Sequence, residues 1–200
     1  KFLTNPHKPV ILALSRPDRH KNLHTLIEVY GNDKELQSIA NLVIFAGIRK
    51  DISTMPESEK GVLTDLLLLM DKYDLYGKMA IPKKHDVENE VSIIYRYAAE
   101  KRGVFVNLAL HENFGLTIIE SASSGLPVVV TKNGGPSEII PTCQNGEIVN
   151  PLDKDEIKRS LMNILTNENQ WKYYSNNGAI NIQKFYSWSS HVNQYVCLLY

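Results

Sequence analysis

The chain has 200 residues, of which 43% are hydrophobic and 22% are charged, a composition that suits one globular domain, or one lobe of a larger protein, with a hydrophobic core. Lysine plus arginine and aspartate plus glutamate both number 22, so the formal net charge is zero. This balance argues against a general attraction to nucleic acid or anionic membrane, and any anion-binding site must be local.

Short apolar segments rich in β-branched residues alternate with longer segments of helical pattern. The strand-like segments are 10–15, 41–47, 103–109 and 127–131, with weaker ones at 78–82 and 146–150. The helical segments between them are 21–31, 59–74, 90–100 and 115–125. This alternation predicts roughly six parallel strands flanked by helices, which is a Rossmann-like α/β sheet.

The two ends of the chain depart from this alternation. Residues 1–9 are polar and include two prolines, so we expect them to be the remnant of a linker in a longer protein. After Pro151 only helical segments follow, at 153–167, 168–186 and 187–200, and the last of these is predicted to be a terminal helix. We assign 1–200 to one domain and expect an amino-terminal lobe to be absent from this chain.

Targeting, redox and metal signals are all weak. Cys143 and Cys197 form no C-x-x-C motif, so neither a zinc cage nor a disulfide framework is indicated and a reducing compartment fits. Apolar runs such as Leu66–Met70 are far shorter than the roughly 20 residues of a spanning helix, and no secretory signal opens the chain. The histidines show no metal-binding spacing. We expect a soluble, cytoplasmic protein and assign it no metal.

Open parallel sheets bind ligands at the carboxyl ends of their strands, so the loops there are of most interest. The chain has no G-x-G-x-x-G or G-x-x-x-x-G-K-[ST] motif, which argues against a standard dinucleotide or P-loop site. The loop after the first strand carries Arg16, Arg19 and Lys21, where an anionic ligand would lie. On spacing alone, the alternative of a solvated basic turn is favoured.

A second loop and the helix after it carry the groups that a nucleotide sugar needs. Gly115 allows close backbone approach, and the amides of Leu116 and Thr117 at the helix start can hold a phosphate. Glu112 lies in the loop, whereas Glu120 shares a helical face with Thr117. Because carboxylates accept hydrogen bonds from vicinal hydroxyls, we predict a hexose near Glu112 and a ribose near Glu120. The alternative makes Glu112 a cap and Glu120 a surface residue.

These motifs also carry a family resemblance. The segments "SRPDRHKN" and "HENFGLTIIESASSGLPVVVTKNGGPSEII" resemble the nucleotide-binding lobe of two-lobed, retaining GT-B glycosyltransferases, in the group marked by two glutamates separated by seven residues. Within that group, "IYRYAA", "GVFVNLALHENFGLTIIE" and "YSWSSHVNQY" are most similar to the sucrose-phosphate synthase family. The resemblance covers nearly the whole chain. It implies the carboxyl-terminal donor lobe of an enzyme that transfers glucose from UDP-glucose to fructose 6-phosphate.

The resemblance assigns roles to residues at matching positions. It implies that Arg16 and Lys21 contact the donor diphosphate and that Glu112 contacts the transferred hexose; we predict these three as the catalytic set. Cations and helix amides would stabilise the charge on the departing diphosphate. The resemblance implies no metal or other cofactor. Because the acceptor lobe is missing, we expect the isolated domain to bind donor without turning over.

The remaining positions concern donor binding. By the same resemblance, residues that hold the hexose and phosphates are Phe114, Gly115, Leu116 and Thr117, and Glu120 takes the ribose hydroxyls. The segment "IPKKHDVEN" stands where related enzymes contact uracil, so Lys83 and His85 are the candidates for the base pocket. A solvated loop is the alternative for these two residues.

Two other functions stay open at this point. A related transferase could use GDP-mannose or ADP-glucose, since the predicted groups bind phosphates and sugars rather than the base. A non-catalytic domain could bind a nucleotide or a partner protein at the same carboxyl ends of the strands.

Overall fold

A parallel β-sheet forms the centre of the protein. The computed structural model describes residues 2–84, 86 and 89–199, with side chains for all of these except 193–195 and 197–199. Within them, six strands pair in the order β3-β2-β1-β4-β5-β6. The strands are β1 (Val10–Ser15), β2 (Asn41–Ala46), β3 (Met79–Ala80), β4 (Val104–Asn107), β5 (Val128–Thr131) and β6 (Gly146–Val149). All pairings are parallel, so the predicted Rossmann-like sheet is confirmed.

Helices pack on both faces of the sheet. They are α1 (Leu23–Asn32), α2 (Lys34–Ile39), α3 (Glu57–Lys72), α4 (Val91–Glu100), α5 (Leu116–Ser123), α6 (Pro136–Cys143), α7 (Lys154–Thr166), α8 (Glu168–Tyr186) and α9 (Trp188–Leu199). One core lies between the sheet and helices α1, α2, α3 and α7. A second core lies between the sheet and helices α4, α5, α6 and α8.

The sequence of β1 shows why both faces are covered. Ile11 and Ala13 belong to one core, whereas Val10 and Leu12 belong to the other, as the two-residue period of a strand requires. An apolar strand of this kind is stable only when helices cover both of its faces. Its apolar sequence therefore positions β1 inside the sheet, between β2 and β4.

The observed elements differ from the predicted ones at several places, and three of these differences have their cause in a single residue. Helix α1 begins at Leu23 instead of residue 21, because Asn22 adopts left-handed backbone with φ of 54°. Helix α2 was not predicted; the carboxylate of Asp33 accepts a hydrogen bond from the Leu36 amide at 2.8 Å and caps it. Strand β4 ends at Asn107, whose side chain accepts a hydrogen bond from the Ala109 amide at 3.1 Å and turns the chain away.

The first residues of the chain lie against the β3 side of the sheet. Leu3 forms a parallel bridge with Gly77, and the Asn41 side chain donates a hydrogen bond to the carbonyl of Asn5 at 2.7 Å. The assignment of 1–9 as a linker remnant, and of an absent amino-terminal lobe, stays a prediction. In the part of the chain that the structure describes, no helix is long and apolar enough to cross a membrane.

Candidate functional site

A cavity of about 560 Å³ opens at the carboxyl edge of the sheet, where the loops after β1, β2 and β4 meet. Its lining consists of Leu14, Ser15, Arg16, Lys21, Gly47, Ile48, Asn107, Glu112, Asn113, Phe114, Gly115, Leu116 and Thr117. Strand order reverses at β1, which makes this edge the expected ligand site of a doubly wound sheet. The structure thus brings seven of the predicted residues together: Arg16, Lys21, Glu112 and all of 114–117.

An ion pair joins the two predicted loops across the cavity. Lys21 Nζ donates to Glu112 Oε2 at 2.8 Å, although the residues are 91 positions apart in sequence. Asn107 Nδ2 donates to the same oxygen at 3.0 Å. Burial acts to raise the pKa of Glu112, but these two donors outweigh it and hold that pKa below its usual value. No donor among the described residues reaches Glu112 Oε1, so this oxygen can accept from a ligand.

Asn107 was missed by the sequence reasoning, although a signal was present. It is the polar residue of the otherwise apolar strand β4 and is only 9% exposed. A buried polar side chain must find hydrogen bonds, and Asn107 finds them in the Ala109 amide and in Glu112. The asparagine therefore fixes both the end of the strand and the orientation of the acid.

A glycine turn holds the backbone of the Glu112 loop. The Glu112 amide donates to the carbonyl of Asn133 at 3.0 Å, and the Gly135 amide donates to the carbonyl of Glu112 at 2.9 Å. Gly134 has φ of +101°, and a Cβ there would stand 2.1 Å from the Glu112 carbonyl oxygen. A Cβ at Gly135 would stand 2.4 Å from the Phe114 carbonyl oxygen. Only glycines allow this close approach.

We expect Gly134→Ala to lower the free energy of unfolding by about 1–3 kcal/mol, because the left-handed backbone and the clash with Glu112 both resist a side chain. The matched control is Gly61→Ala, in the middle of α3, where the nearest atom to a new Cβ is 3.8 Å away. That change should stabilise the fold by about 0.5–1 kcal/mol. Denaturant unfolding of both variants measures the difference. Equal changes in the free energy of unfolding would contradict the role of Gly134 in holding the backbone of the Glu112 loop.

The start of α5 presents backbone amides to the cavity. Gly115 precedes the helix with φ of +100° and makes its first turn possible. The amides of Ile118 and Ile119 both donate to the Gly115 carbonyl, at 3.0 and 3.1 Å. Leu116 and Thr117 stand before Ile118 in the helix, so their amides come before the first ones that bond to the Gly115 carbonyl. Both residues line the cavity. A helix start of this kind is suited to bind an anion.

Glu120 lies on the same helix but outside the cavity lining. Thr117 lines the cavity three residues earlier, so Glu120 stands about 4.5 Å further along the helix axis. Glu120 is exposed as a residue, but partial burial of its carboxylate raises its pKa, and the neighbouring Tyr95 hydroxyl opposes that rise only in part. The two predicted acids thus occupy different electrostatic environments.

The two glutamates are expected to titrate on opposite sides of the usual glutamate pKa of about 4.3. As pH falls, Glu120 should protonate first, because burial raises its pKa. Glu112 should protonate later, because Lys21 and Asn107 hold its pKa down. Carboxyl ¹³C NMR measures both titrations. The reverse order would contradict the hydrogen-bonding scheme, and Lys21→Met should move the Glu112 titration upward without moving that of Glu120.

These opposite shifts have opposite effects on folding stability. The pKa of Glu112 is lower in the folded than in the unfolded protein, so this group stabilises the fold at pH values above its unfolded pKa. That stabilisation is lost as the pH falls through the folded pKa. The pKa of Glu120 is higher in the folded than in the unfolded protein, so this group stabilises the fold at pH values below its unfolded pKa. That stabilisation is lost as the pH rises through the folded pKa.

Lys83, one of the two residues predicted for the base pocket, lies at the β2 and β3 end of the site. Lys83 is exposed and does not line the cavity, while its carbonyl accepts a hydrogen bond from the Arg49 amide at 2.9 Å. The Arg49 guanidinium is buried and donates to the carbonyls of Ile81 and Pro82, both at 3.0 Å. Arg49 therefore ties the loop after β2 to the segment after β3. His85 lies outside the described residues.

The third basic residue of the first loop turns away from the cavity. Arg19 pairs with Asp65 of α3 at 3.2 Å, and both side chains are exposed. Arg19 is absent from the cavity lining, whereas Arg16 and Lys21 belong to it.

No group of three or more His, Cys, Asp or Glu side chains within 2–84, 86 and 89–199 is placed to hold a metal ion. The expectation that the protein requires no metal stays a prediction.

The family model described as glycosyl transferases group 1 matches residues 1–180. The chain belongs to this family. It is 48% identical to sucrose-phosphate synthase 4 of Arabidopsis thaliana over 196 residues, which are 98% of this chain and 18% of the relative. The chain thus spans about a fifth of that relative's length. The resemblance indicated by the motifs is confirmed.

Solved structures show the same fold. Sucrose-phosphate synthase from Thermosynechococcus elongatus matches with a TM-score of 0.80 and 23% identity, over 98% of this chain and 46% of that one. The Anabaena protein Alr3699/HepE, in complex with UDP and glucose, matches with a TM-score of 0.79 and 15% identity, over 99% of this chain and 53% of that one. The predicted GT-B lobe is therefore confirmed as the fold of this domain.

Proposed function

We propose that this domain is the donor-binding lobe of a retaining glycosyltransferase that transfers glucose from UDP-glucose to fructose 6-phosphate, giving sucrose 6-phosphate. One observation carries the proposal: Lys21, Glu112 and the first residues of α5 meet in a single cavity at the strand ends. The 48% identity to a plant sucrose-phosphate synthase supports the choice of donor and acceptor.

In this proposal the donor diphosphate lies between the loop after β1 and the start of α5. Arg16 and Lys21 supply positive charge, and the amides of Leu116 and Thr117 supply hydrogen-bond donors. Breaking the glycosidic C–O bond places negative charge on the departing diphosphate. These groups stabilise that charge more than they stabilise the bound donor, so they favour departure of the leaving group.

The transferred hexose is assigned to Glu112. Its carboxylate is ionised at neutral pH, because Lys21 and Asn107 hold its pKa down. One oxygen is occupied by those two donors, which leaves Oε1 to accept hydroxyls of the sugar. We assign Glu112 to hold and orient the hexose, and not to attack it. Phe114 and Gly115 complete this wall of the cavity.

The nucleoside extends from the diphosphate toward Glu120 and the loops after β2 and β3. Glu120 accepts the ribose hydroxyls, and the base lies near the segment that includes Lys83 and His85. Fructose 6-phosphate binds through a second lobe, so this domain alone holds donor without transfer.

We also propose that the protein works in the cytoplasm and requires no metal, with Arg16, Lys21 and the helix amides taking the place of a cation.

Calorimetry on the 200-residue domain with UDP, GDP and ADP tests the donor. UDP should bind most tightly, and a chelator should leave its affinity unchanged. Tighter binding of GDP or ADP would favour a related transferase with another sugar nucleotide, and loss of UDP binding with chelator would contradict the metal-free site. UDP release by the two-lobed enzyme should require fructose 6-phosphate; release without this dependence, or none at all, would contradict the proposed reaction.

A further inference from the structure

A buried tyrosine beneath α5 has a hydroxyl for which the described residues supply no hydrogen bond. Tyr95 of α4 is 1% exposed, and its ring packs edge-on against Phe105 of β4 with centroids 5.6 Å apart. Among the described residues its hydroxyl has no partner within hydrogen-bonding geometry. Tyr30, which is equally buried, instead bonds to the carbonyls of Ala40 and Lys78 at 2.9 and 3.2 Å. The unpartnered hydroxyl is thus peculiar to Tyr95 within this pair.

The charge next to the Tyr95 hydroxyl is the carboxylate of Glu120. Helices α4 and α5 pack together, and the two side chains interact: burial and then the Glu120 charge raise the pKa of Tyr95, while Tyr95 opposes the rise in the pKa of Glu120. The hydroxyl and the carboxylate are therefore neighbours that stop short of a formed hydrogen bond. Glu120 is at the exposed end of this arrangement, where it can reorient.

A buried hydroxyl without a partner reduces stability, because no hydrogen bond offsets the free-energy cost of removing it from water. A phenylalanine would fill the same space against Phe105 without that loss. A ligand-bound state in which this hydroxyl finds a partner would account for its presence. The ligand that the proposed function assigns to Glu120 is a ribose with two adjacent hydroxyls.

We propose that Tyr95 is a positioning residue for Glu120, which donates its hydroxyl to the carboxylate when Glu120 turns to bind the ribose diol. A carboxylate has about four acceptor sites, so it can take Tyr95 from the protein side and both ribose hydroxyls from the ligand side. The bond to a charged acceptor is a strong one and selects a single rotamer of Glu120. The inference rests on the proposed function, since it takes a nucleotide as the ligand.

The variant Tyr95→Phe removes only the hydroxyl. We expect its melting temperature to be unchanged or higher, and its Kd for UDP to rise about tenfold, as for loss of one hydrogen bond to a charged group. The matched control Tyr30→Phe should do the opposite, lowering the melting temperature and leaving the Kd for UDP unchanged. A purely structural role for Tyr95 would not separate stability from affinity in this way.

Two further measurements assign the effect to Glu120 and the ribose. In a Glu120→Ala background, Tyr95→Phe should cause no additional loss of UDP affinity. With 2′,3′-dideoxyuridine diphosphate, which lacks the diol, Tyr95→Phe should bind as tightly as the unaltered chain. A Kd for UDP unchanged in Tyr95→Phe, or a loss that is equal for the dideoxy nucleotide, would overturn this proposal alone. Failure of the unaltered chain to bind UDP would overturn the proposed function with it.

Discussion

Lys21→Ala should weaken UDP binding by about 1.5–3 kcal/mol, the usual range for hydrogen bonds to charged groups. The structure gives a reason to expect the upper part of this range. Lys21 pairs with Glu112 in a partly buried site, so its removal takes a cation from the diphosphate and leaves an unneutralised carboxylate beside it. Arg16 is exposed and takes no part in the Lys21–Glu112 ion pair, so Arg16→Ala should cost less within the same range.

Arg19→Ala is the matched control for both variants. Arg19 lies in the same loop but pairs with Asp65 away from the cavity, so UDP affinity should not change. Calorimetry with the three variants and the unaltered domain measures all of the effects. If Arg19→Ala weakened UDP while Lys21→Ala and Arg16→Ala did not, the anion site would have to move to the outer side of this loop.

Glu112→Ala and Glu120→Ala should fail in different assays, because the two acids are proposed to touch different parts of one donor. Glu120→Ala should weaken UDP itself by about 1.5–3 kcal/mol, since the ribose hydroxyls lose a charged acceptor. Glu112→Ala should keep or improve UDP affinity, because it releases Lys21 from its ion pair. It should abolish the preference for UDP-glucose over UDP and slow transfer by the two-lobed enzyme on the order of 100-fold, through misplacement of the hexose.

Melting temperatures distinguish this pattern from a structural role of the acids. A lost cap at Glu112 and a surface change at Glu120 would alter stability by roughly 1 kcal/mol or less and leave both ligand affinities alike. Weaker UDP binding by Glu112→Ala together with normal binding by Glu120→Ala would reverse the direction of the nucleotide along the strand ends, and the two roles would have to be exchanged.

Much of the fold was predictable because its signals are local. The β-branched runs 10–15 and 127–131 form strands at those same residues or within one of them, since a doubly buried strand needs apolar residues on both faces. The boundaries that failed depend on single polar side chains. Asp33 caps an unpredicted helix, and Asn107 ends β4 early. A pattern averaged over many residues does not resolve one hydrogen bond.

The predicted site residues were found by their position after strands and at a helix start. Arg16, Lys21, Glu112 and 114–117 line one cavity, as the rule for carboxyl ends of parallel strands predicts. The sequence did not indicate Gly47 and Ile48, which also line it. Their loop follows β2, and nothing in its residue types marks a ligand site; only the pairing of β2 with β1 places it there.

The sequence by itself determined which segments become strands and helices, and which loops carry cations, acids and free amides, because those properties depend on neighbouring residues. Only the tertiary structure decided which of these groups meet. Lys21 reaches Glu112 because β1 pairs with β4 across the reversal in strand order, Gly134 holds the Glu112 backbone, and Tyr95 lies under Glu120 because α4 packs on α5. Contacts between residues far apart in sequence follow from strand order and helix packing, and these arise from the burial of the whole core and not from any local pattern.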